Sequence, residues 1–390
     1  MSRLVDLLRP HRPGSSAETV ACAPGAALPA ADDVLHAFDQ TVKALDGHDQ
    51  ARAHSDVAQD IVAQLVESAL DQQRAAPGSP LTLSQRLGLE TVIRADGSRP
   101  SLLLTQGEAD ADHPMAGRWR DQIASTRNEV KKLARATARI QPQGGSSSKF
   151  YGTGFLISTE PARVVTNRHV AMLALRRGVA RQEASPYSFL SSYRVLGATI
   201  EVEFDGEYDS SASVRHAVAR VLLPPWPHTA ANPSMDIAVL ELALPQREAM
   251  PAPVPLIRSS TFELTDGLNS VCVIGFPGPP ALRAGTVDGI DWGFVDQAIF
   301  NERYGFKRIA PGIVHRDFNA TGTGTAAFSF GHDATSLGGN SGSAVCAWQD
   351  GGVVFGLHFF GIDADTNLAH GFSSHLTAPL LEQLLGLVLQ

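Results

Sequence analysis

The stretch LGGNSGSAV, residues 337–345, sets a hydroxyl, Ser341, among glycines and ahead of a short apolar run. Glycine accepts backbone conformations closed to other residues, so the chain can turn sharply here and aim the amides of Gly339 and Ser341 at one point. Two further stretches hold a reactive group beside residues that account for it. TNRHVA (166–171) surrounds His169, and in MDIAVLEL (235–242) Asp236 opens a strongly apolar strand. A free hydroxyl is a poor nucleophile, and imidazole is the side chain whose proton affinity suits its activation near neutral pH. The other ring nitrogen needs a carboxylate to hold it and to stabilise the imidazolium. A lone charge heading an apolar strand is costly unless it has such a partner. Backbone amides aimed at a developing oxyanion are worth about 3 kcal/mol per donor.

The candidates run His169, Asp236, Ser341 along the chain. An α/β-hydrolase runs Ser, Asp, His and carries G-x-S-x-G, whereas residue 343 here is Ser, so that fold is disfavoured. From Tyr151 onward short β-branched runs alternate with Gly and Pro turns: GFLIS, RVVT, TIEVEF, VARVLL, DIAVLEL, SVCVIG, AAFSF, SAVCAW and VVFGLHF. Such a succession without long intervening helices predicts antiparallel barrels or a sandwich. The chain ends in TAPLLEQLLGLVLQ, which predicts a C-terminal helix capped by Thr377.

With the motifs GTGFLIS (152–158), TNRHVA, DIAVLEL, GNSGS (339–343) and GLHFFG (356–361) in this order, residues 150–390 resemble the chymotrypsin-like serine peptidases. The likeness is to the bacterial branch that includes glutamyl endopeptidases and trypsin-like domains of intracellular proteins. It implies an all-β pair of six-stranded barrels with the site in the cleft between them. It also implies a serine endopeptidase with triad His169, Asp236 and Ser341, and an oxyanion hole formed by Gly339 and Ser341. GLHFFG aligns with the strand that walls the primary pocket and pairs with substrate, which makes His358, Phe359, Phe360 and Gly361 substrate-binding candidates. Counting back from the nucleophile adds Thr335 and Ser336. Thr335 stands where trypsins carry an aspartate, which argues against Arg or Lys at the cleaved position. His358 with a Ser336 hydroxyl suggests an acidic residue there, or failing that a small polar one, against the plainer reading that His358 packs within the barrel. Asn340 replaces the aspartate that pairs with a newly cut N-terminus in zymogen-activated relatives, so control is expected through the N-terminal region or its partners.

Ahead of these motifs, residues 1–30 read as a mobile arm. Residues 31–95 read as a small helical domain. Val34, Leu35, Phe38, Val42 and Leu45 recur at helical spacing, Val57, Ile61, Leu65 and Ala69 form an i, i+4 stripe, and Thr82 with Gln85 makes a capping box. Residues 96–149 read as a connecting strand and helix that travel with the peptidase. SLLLTQ (101–106) supplies the strand, residues 108–112 an exposed acidic loop, and Trp119, Ile123, Val130, Leu133 and Ile140 a fourth helix stopping before Pro142. A helical module ahead of such a peptidase is analogous to bacterial immune or cell-death arrangements, with a sensor or adaptor protein as partner. The competing readings are an unregulated housekeeping protease, and a catalytically silent homologue that only binds peptides.

Net charge is −8, and the seven basic residues between Arg118 and Arg139 read as a solvated helix face, so a protein or peptide substrate is expected and not nucleic acid. Three cysteines, Cys22, Cys272 and Cys346, are too few for a bridge-stapled secreted protease. Without an apolar signal core or a long apolar span, the expectation is a cytoplasmic protein off the membrane. The 13 histidines include no HExxH and no Cys/His cluster, so no metal or cofactor is expected.

Overall fold

The computed structural model describes residues 98–372, apart from 188–189, 211–212, 225–235, 244–249, 257–269, 280–285, 288–289, 317–328, 349–350 and 364–365. The expected mobile arm, the small helical domain and the C-terminal helix lie outside the described residues.

The strands are β1 (Leu102–Thr105), β2 (Glu108–Ala109), β3 (Thr137–Pro142), β4 (Gly152–Thr159), β5 (Ala162–Thr166), β6 (Ala180–Glu183), β7 (Ser191–Val195), β8 (Ile200–Glu203), β9 (Arg215–Leu223), β10 (Ala238–Leu242), β11 (Ser270–Gly275), β12 (Thr286–Val287), β13 (Ile290–Asp291), β14 (Arg308–Arg316), β15 (Ser329–His332), β16 (Ala344–Ala347), β17 (Val353–Asp363) and β18 (Thr366–Gly371). The main helices are α1 (Arg120–Ser125), α2 (Arg127–Ala136) and α3 (Arg168–Arg177).

Two antiparallel barrels of six strands each are closed, which leaves neither with a bare edge. The first runs β10-β5-β4-β3-β8-β9, and β10 closes it by also pairing with β9. The second runs β11-β16-β17-β18-β15-β14 and closes through β11 and β14. The β6–β7 hairpin extends the first barrel beyond β9, while β1, carrying β2, extends the second beyond β14. The barrel strands are strongly apolar on both faces: Val164, Val165, Val221, Val239, Leu240 and Ile274 are all fully buried. Each such side chain contributes about 1.5–3 kcal/mol relative to exposure.

The expected fourth helix is shorter than its apolar stripe. It ends at Ala136, and Thr137 turns to extended backbone (φ −84°, ψ 131°). Residues 137–142 then become β3, hydrogen-bonded to both β4 and β8. Ile140 keeps helical phase with Leu133, but closure of the barrel demands a strand there, and tertiary pairing overrides local period. The first barrel therefore begins at Thr137, ahead of residue 150. The expected acidic loop at 108–112 also gives way in part, since Glu108–Ala109 pairs with β1 and buries Ala109.

The basic run divides likewise. Lys131 and Arg127 reach Glu108 at 2.7 and 3.4 Å on the surface, whereas Arg139 is buried against Glu203 at 2.6 Å. Arg139 also donates to the Gly305 carbonyl at 2.6 Å, and Lys307 donates to the carbonyls of Ala134 and Phe204, so buried cations brace one barrel on the other. Cys272 and Cys346 are buried free thiols, directly opposite each other on β11 and β16.

Candidate active site

His169 lies in the first turn of α3, immediately after β5, with Asn167 as N-cap residue. The sequence breaks the strand here for a local reason: the Asn167 side chain turns away to donate to the Asp236 carbonyl at 2.9 Å. Asp236 precedes β10 and makes two contacts to one residue. Its Oδ1 accepts the His169 backbone N–H at 2.9 Å, and its Oδ2 lies 2.6 Å from His169 Nδ1. A carboxylate at that distance holds the proton on Nδ1 and leaves Nε2 as the basic nitrogen. Burial pushes the Asp236 carboxyl upward. The charge and both N–H groups of His169, helped by His370, outweigh it and hold the group below the usual carboxylate range.

Ser341 sits in a tight loop between β15 and β16, only 5% exposed. Gly339 (φ +94°) and Gly342 (φ +89°) adopt conformations reserved in practice for glycine. Space imposes the same choice: a Cβ on Gly342 would fall 2.0 Å from the Thr153 carbonyl oxygen, and one on Gly339 2.6 Å from that of Phe276. Within the loop the amides of Asn340, Gly342 and Ser343 donate to Leu337, His358 and Asn340 carbonyls at 3.0, 3.0 and 2.8 Å. The amides of Gly339 and Ser341 donate to no acceptor among the described residues, the condition an oxyanion hole requires.

Thr153, the threonine of GTGF, ties this loop to the first barrel. Its hydroxyl donates to the Gly339 carbonyl at 2.7 Å, and its backbone N–H to the Ser341 carbonyl at 2.9 Å. Gly152 lies at the junction: a Cβ there would sit 2.7 Å from Val170, the neighbour of His169, and 3.1 Å from the Ser341 carbonyl oxygen. The two barrels thus bring the histidine helix and the serine loop together.

The specificity candidates fall on β17 and the segment before the loop. His358 is buried, with Nδ1 3.3 Å from His332 Nε2, and burial with the nearby His169 charge pushes its pKa down to about 3. Phe359 and Phe360 are half-buried and Gly361 is buried. Thr335 and Ser336 are both buried, and both hydroxyls already have acceptors. Thr335 donates to the Arg99 carbonyl, and Ser336 to Asn367 Oδ1 at 2.6 Å. The hydroxyl hydrogen expected for a substrate carboxylate is therefore committed within the protein.

Sequence reasoning missed three residues. Thr153 was marked by its place in GTGF. His370 and Arg99 carry no local signal, since each acts on a partner far along the chain. Among the described residues no group of three or more His, Cys, Asp or Glu side chains is placed to hold a metal ion.

A trypsin-like peptidase domain model matches residues 152–357. The chain is also similar to a probable serine protease of Lysobacter enzymogenes, 34% identical over 302 residues, which covers 76% of each chain.

Proposed function

This chain belongs to the trypsin-like serine peptidases, and from that premise we propose that it cleaves peptide bonds through an acyl-enzyme with Ser341 as nucleophile, His169 as general base and Asp236 as orienting carboxylate. The observation that carries the reading is the double contact of Asp236 on the ring and backbone N–H groups of His169. Ser341 Oγ attacks the scissile carbonyl carbon, its proton passes to His169 Nε2, and the Gly339 and Ser341 amides receive the oxyanion. The same proton then goes to the leaving amine, and water, deprotonated by His169, releases the acyl group.

Control is proposed to come from the N-terminal side. Asn340 offers no charge to a new N-terminus. Its amide and carbonyl are engaged within the loop, with Leu337 and Ser343. An intracellular protease gathered on a sensor, of immune or cell-death type, remains an analogy drawn from the helical pattern of residues 31–95. Among the described residues no helix is long and apolar enough to cross a membrane.

The deciding experiment is labelling with a fluorophosphonate, alongside peptide cleavage by wild type and Ser341→Ala. Only an activated serine reacts, so a protein that binds peptides without being labelled is the silent homologue. Cleavage that survives Ser341→Ala in pure protein would show a different nucleophile. Deleting residues 1–95 separates a regulator, which leaves a folded peptidase with altered activity, from a buttress, which leaves an unstable one.

A further inference from the structure

One buried ion pair lies outside the proposed triad and joins the start of the described chain to the approach to the nucleophile. Arg99, just before β1, directs Nε to Asp333 Oδ1 at 2.6 Å and its terminal Nη2 to Oδ2 at 2.5 Å, with side-chain exposures of 6% and 5%. Asp333 Oδ1 also accepts the Ile313 N–H of β14 at 2.7 Å. The Arg99 carbonyl accepts the Thr335 hydroxyl. Arg99 is itself held in place: its guanidinium lies 5.5 Å from the Trp119 ring centroid, and Trp119 Nε1 donates to the adjoining Ser98 carbonyl at 2.9 Å.

We propose that Arg99 is a positioning residue for substrate binding, fixing residues 333–336, the floor of the primary pocket, from outside both barrels. The proposal rests on Ser341 as nucleophile, because the pocket residues are counted from it.

The segment 333–343 is held in two independent halves. Gly339 to Gly342 are fixed by Thr153 and by His358, and the Gly338 carbonyl by the Gly278 amide at 2.6 Å. These contacts come from the barrels and do not involve Arg99. The half before them is held, among the described residues, by the Ile313 backbone, the Asn367 side chain, which donates to the Ala334 carbonyl at 2.6 Å, and Arg99. Of these, only Arg99 supplies a bidentate, charge-assisted contact, the strongest kind available to a carboxylate. Without the two-pronged contact Asp333 would keep the Ile313 N–H but lose its bidentate charge-assisted partner, and the buried carboxylate would shift toward other donors or water. Thr335, whose hydroxyl donates to the residue 99 backbone carbonyl, lies two residues on and would be displaced with it. The oxyanion amides, held by the other half, would stay in place.

The test uses the full chain and compares wild type, Arg99→Lys and Thr335→Val. It reads steady-state cleavage of peptides differing only at the cleaved residue, the rate of fluorophosphonate labelling, and thermal unfolding. Lysine keeps the charge but cannot make the two-pronged contact. In Arg99→Lys, KM should rise about tenfold or more and discrimination between cleaved residues should narrow, while kcat and labelling stay within about threefold. Thr335→Val should move KM and discrimination the same way by less. A purely structural pair would lower the unfolding temperature and leave KM and discrimination of the folded enzyme unchanged, which overturns the proposal. Should Arg99→Lys not fold, Thr335→Val decides by the same readout. Cleavage surviving Ser341→Ala would overturn both this proposal and the reading beneath it, and that signature is independent of Arg99.

Discussion

The ring nitrogen Nε2 of His370, on β18 of the second barrel, accepts the backbone N–H of Asp236 in the first barrel at 3.1 Å. Phe359 stacks almost parallel on the same ring, 3.9 Å between centroids and 6° apart. A ring that accepts at Nε2 is neutral and carries its proton on Nδ1. Burial agrees, pushing His370 down to about 4 against the opposing pull of the Asp236 charge. The carboxylate proposed to orient His169 is thus tethered by the barrel that carries Ser341.

His370→Phe keeps a ring to stack on Phe359 but removes the acceptor, leaving a buried N–H unpaired at a cost of about 1–3 kcal/mol. The expected result is a roughly tenfold fall in kcat with the fold intact. His370→Gln, which can offer Oε1, should recover most of it. Equal kcat in wild type and His370→Phe would show that the tether does not matter to alignment.

Stability should also fall with acid earlier than carboxylates alone would cause. His358 and His370 have folded-state values of about 3 and about 4, below the ordinary 6.5. Above 6.5 both are neutral folded or unfolded and add no pH dependence. Below it the unfolded chain takes up protons that the folded chain refuses, so stability declines as pH drops from 6.5 toward 4. Each histidine contributes a slope of about 1.4 kcal/mol per pH unit. Urea unfolding at pH 7.5, 6 and 5 should show the decline, and His370→Phe should flatten it by about one proton. An unaltered slope would mean that His370 is protonated in the folded protein.

Most of both barrels was legible because β4, β5, β9, β10, β11, β16 and β17 are apolar, β-branched runs bounded by turn residues. β14 was not, since Pro311 and Gly312 interrupt it, yet Pro311 sits opposite Cys272 in the ladder. α3 was hidden behind the motif that contains His169. The proposed triad was visible because each member has explanatory neighbours in sequence. The Asp236–His370 and Arg99–Asp333 contacts were not, because they join residues 134 and 234 positions apart, and nothing local to either residue reports the partner that the barrels bring to it.

Asp236→Asn should fold and lose about four orders of magnitude in activity. The orientation of the new amide follows from the two contacts already present. Its oxygen must face the His169 backbone N–H, which can only donate, so its NH2 faces Nδ1. An N–H donor there forces the imidazole proton onto Nε2, the nitrogen that must accept from Ser341. A variant with more than about a tenth of wild-type kcat at pH 8 would remove Asp236 from the proposed role.

The pocket is expected to prefer glutamine over glutamate at the cleaved position, which revises the acid preference suggested by His358 with the Ser336 hydroxyl. Asn367 donates its NH2 to the Ala334 carbonyl at 2.6 Å, which turns its oxygen toward Ser336 and makes that hydroxyl the donor. Toward substrate Ser336 can then only accept. His358 is held neutral and carries no charge, and in the tautomer whose Nδ1 accepts from His332 Nε2 it offers one N–H, at Nε2. A carboxylate, with acceptors only, would face one donor and one lone pair and would lose its hydration for little return. A carboxamide fits both: its oxygen accepts from His358 and its N–H donates to Ser336. Arginine and lysine meet no counter-charge at Thr335. Matched peptides with Gln, Glu, Ala, Leu or Arg at this position should rank Gln first, by about tenfold over Glu in kcat/KM at pH 7.5. His358→Ala should weaken the Gln peptide selectively and leave the Ala peptide little changed. A preference for Glu would mean that His358 becomes protonated when substrate binds. A preference for Arg would place the pocket elsewhere on the chain.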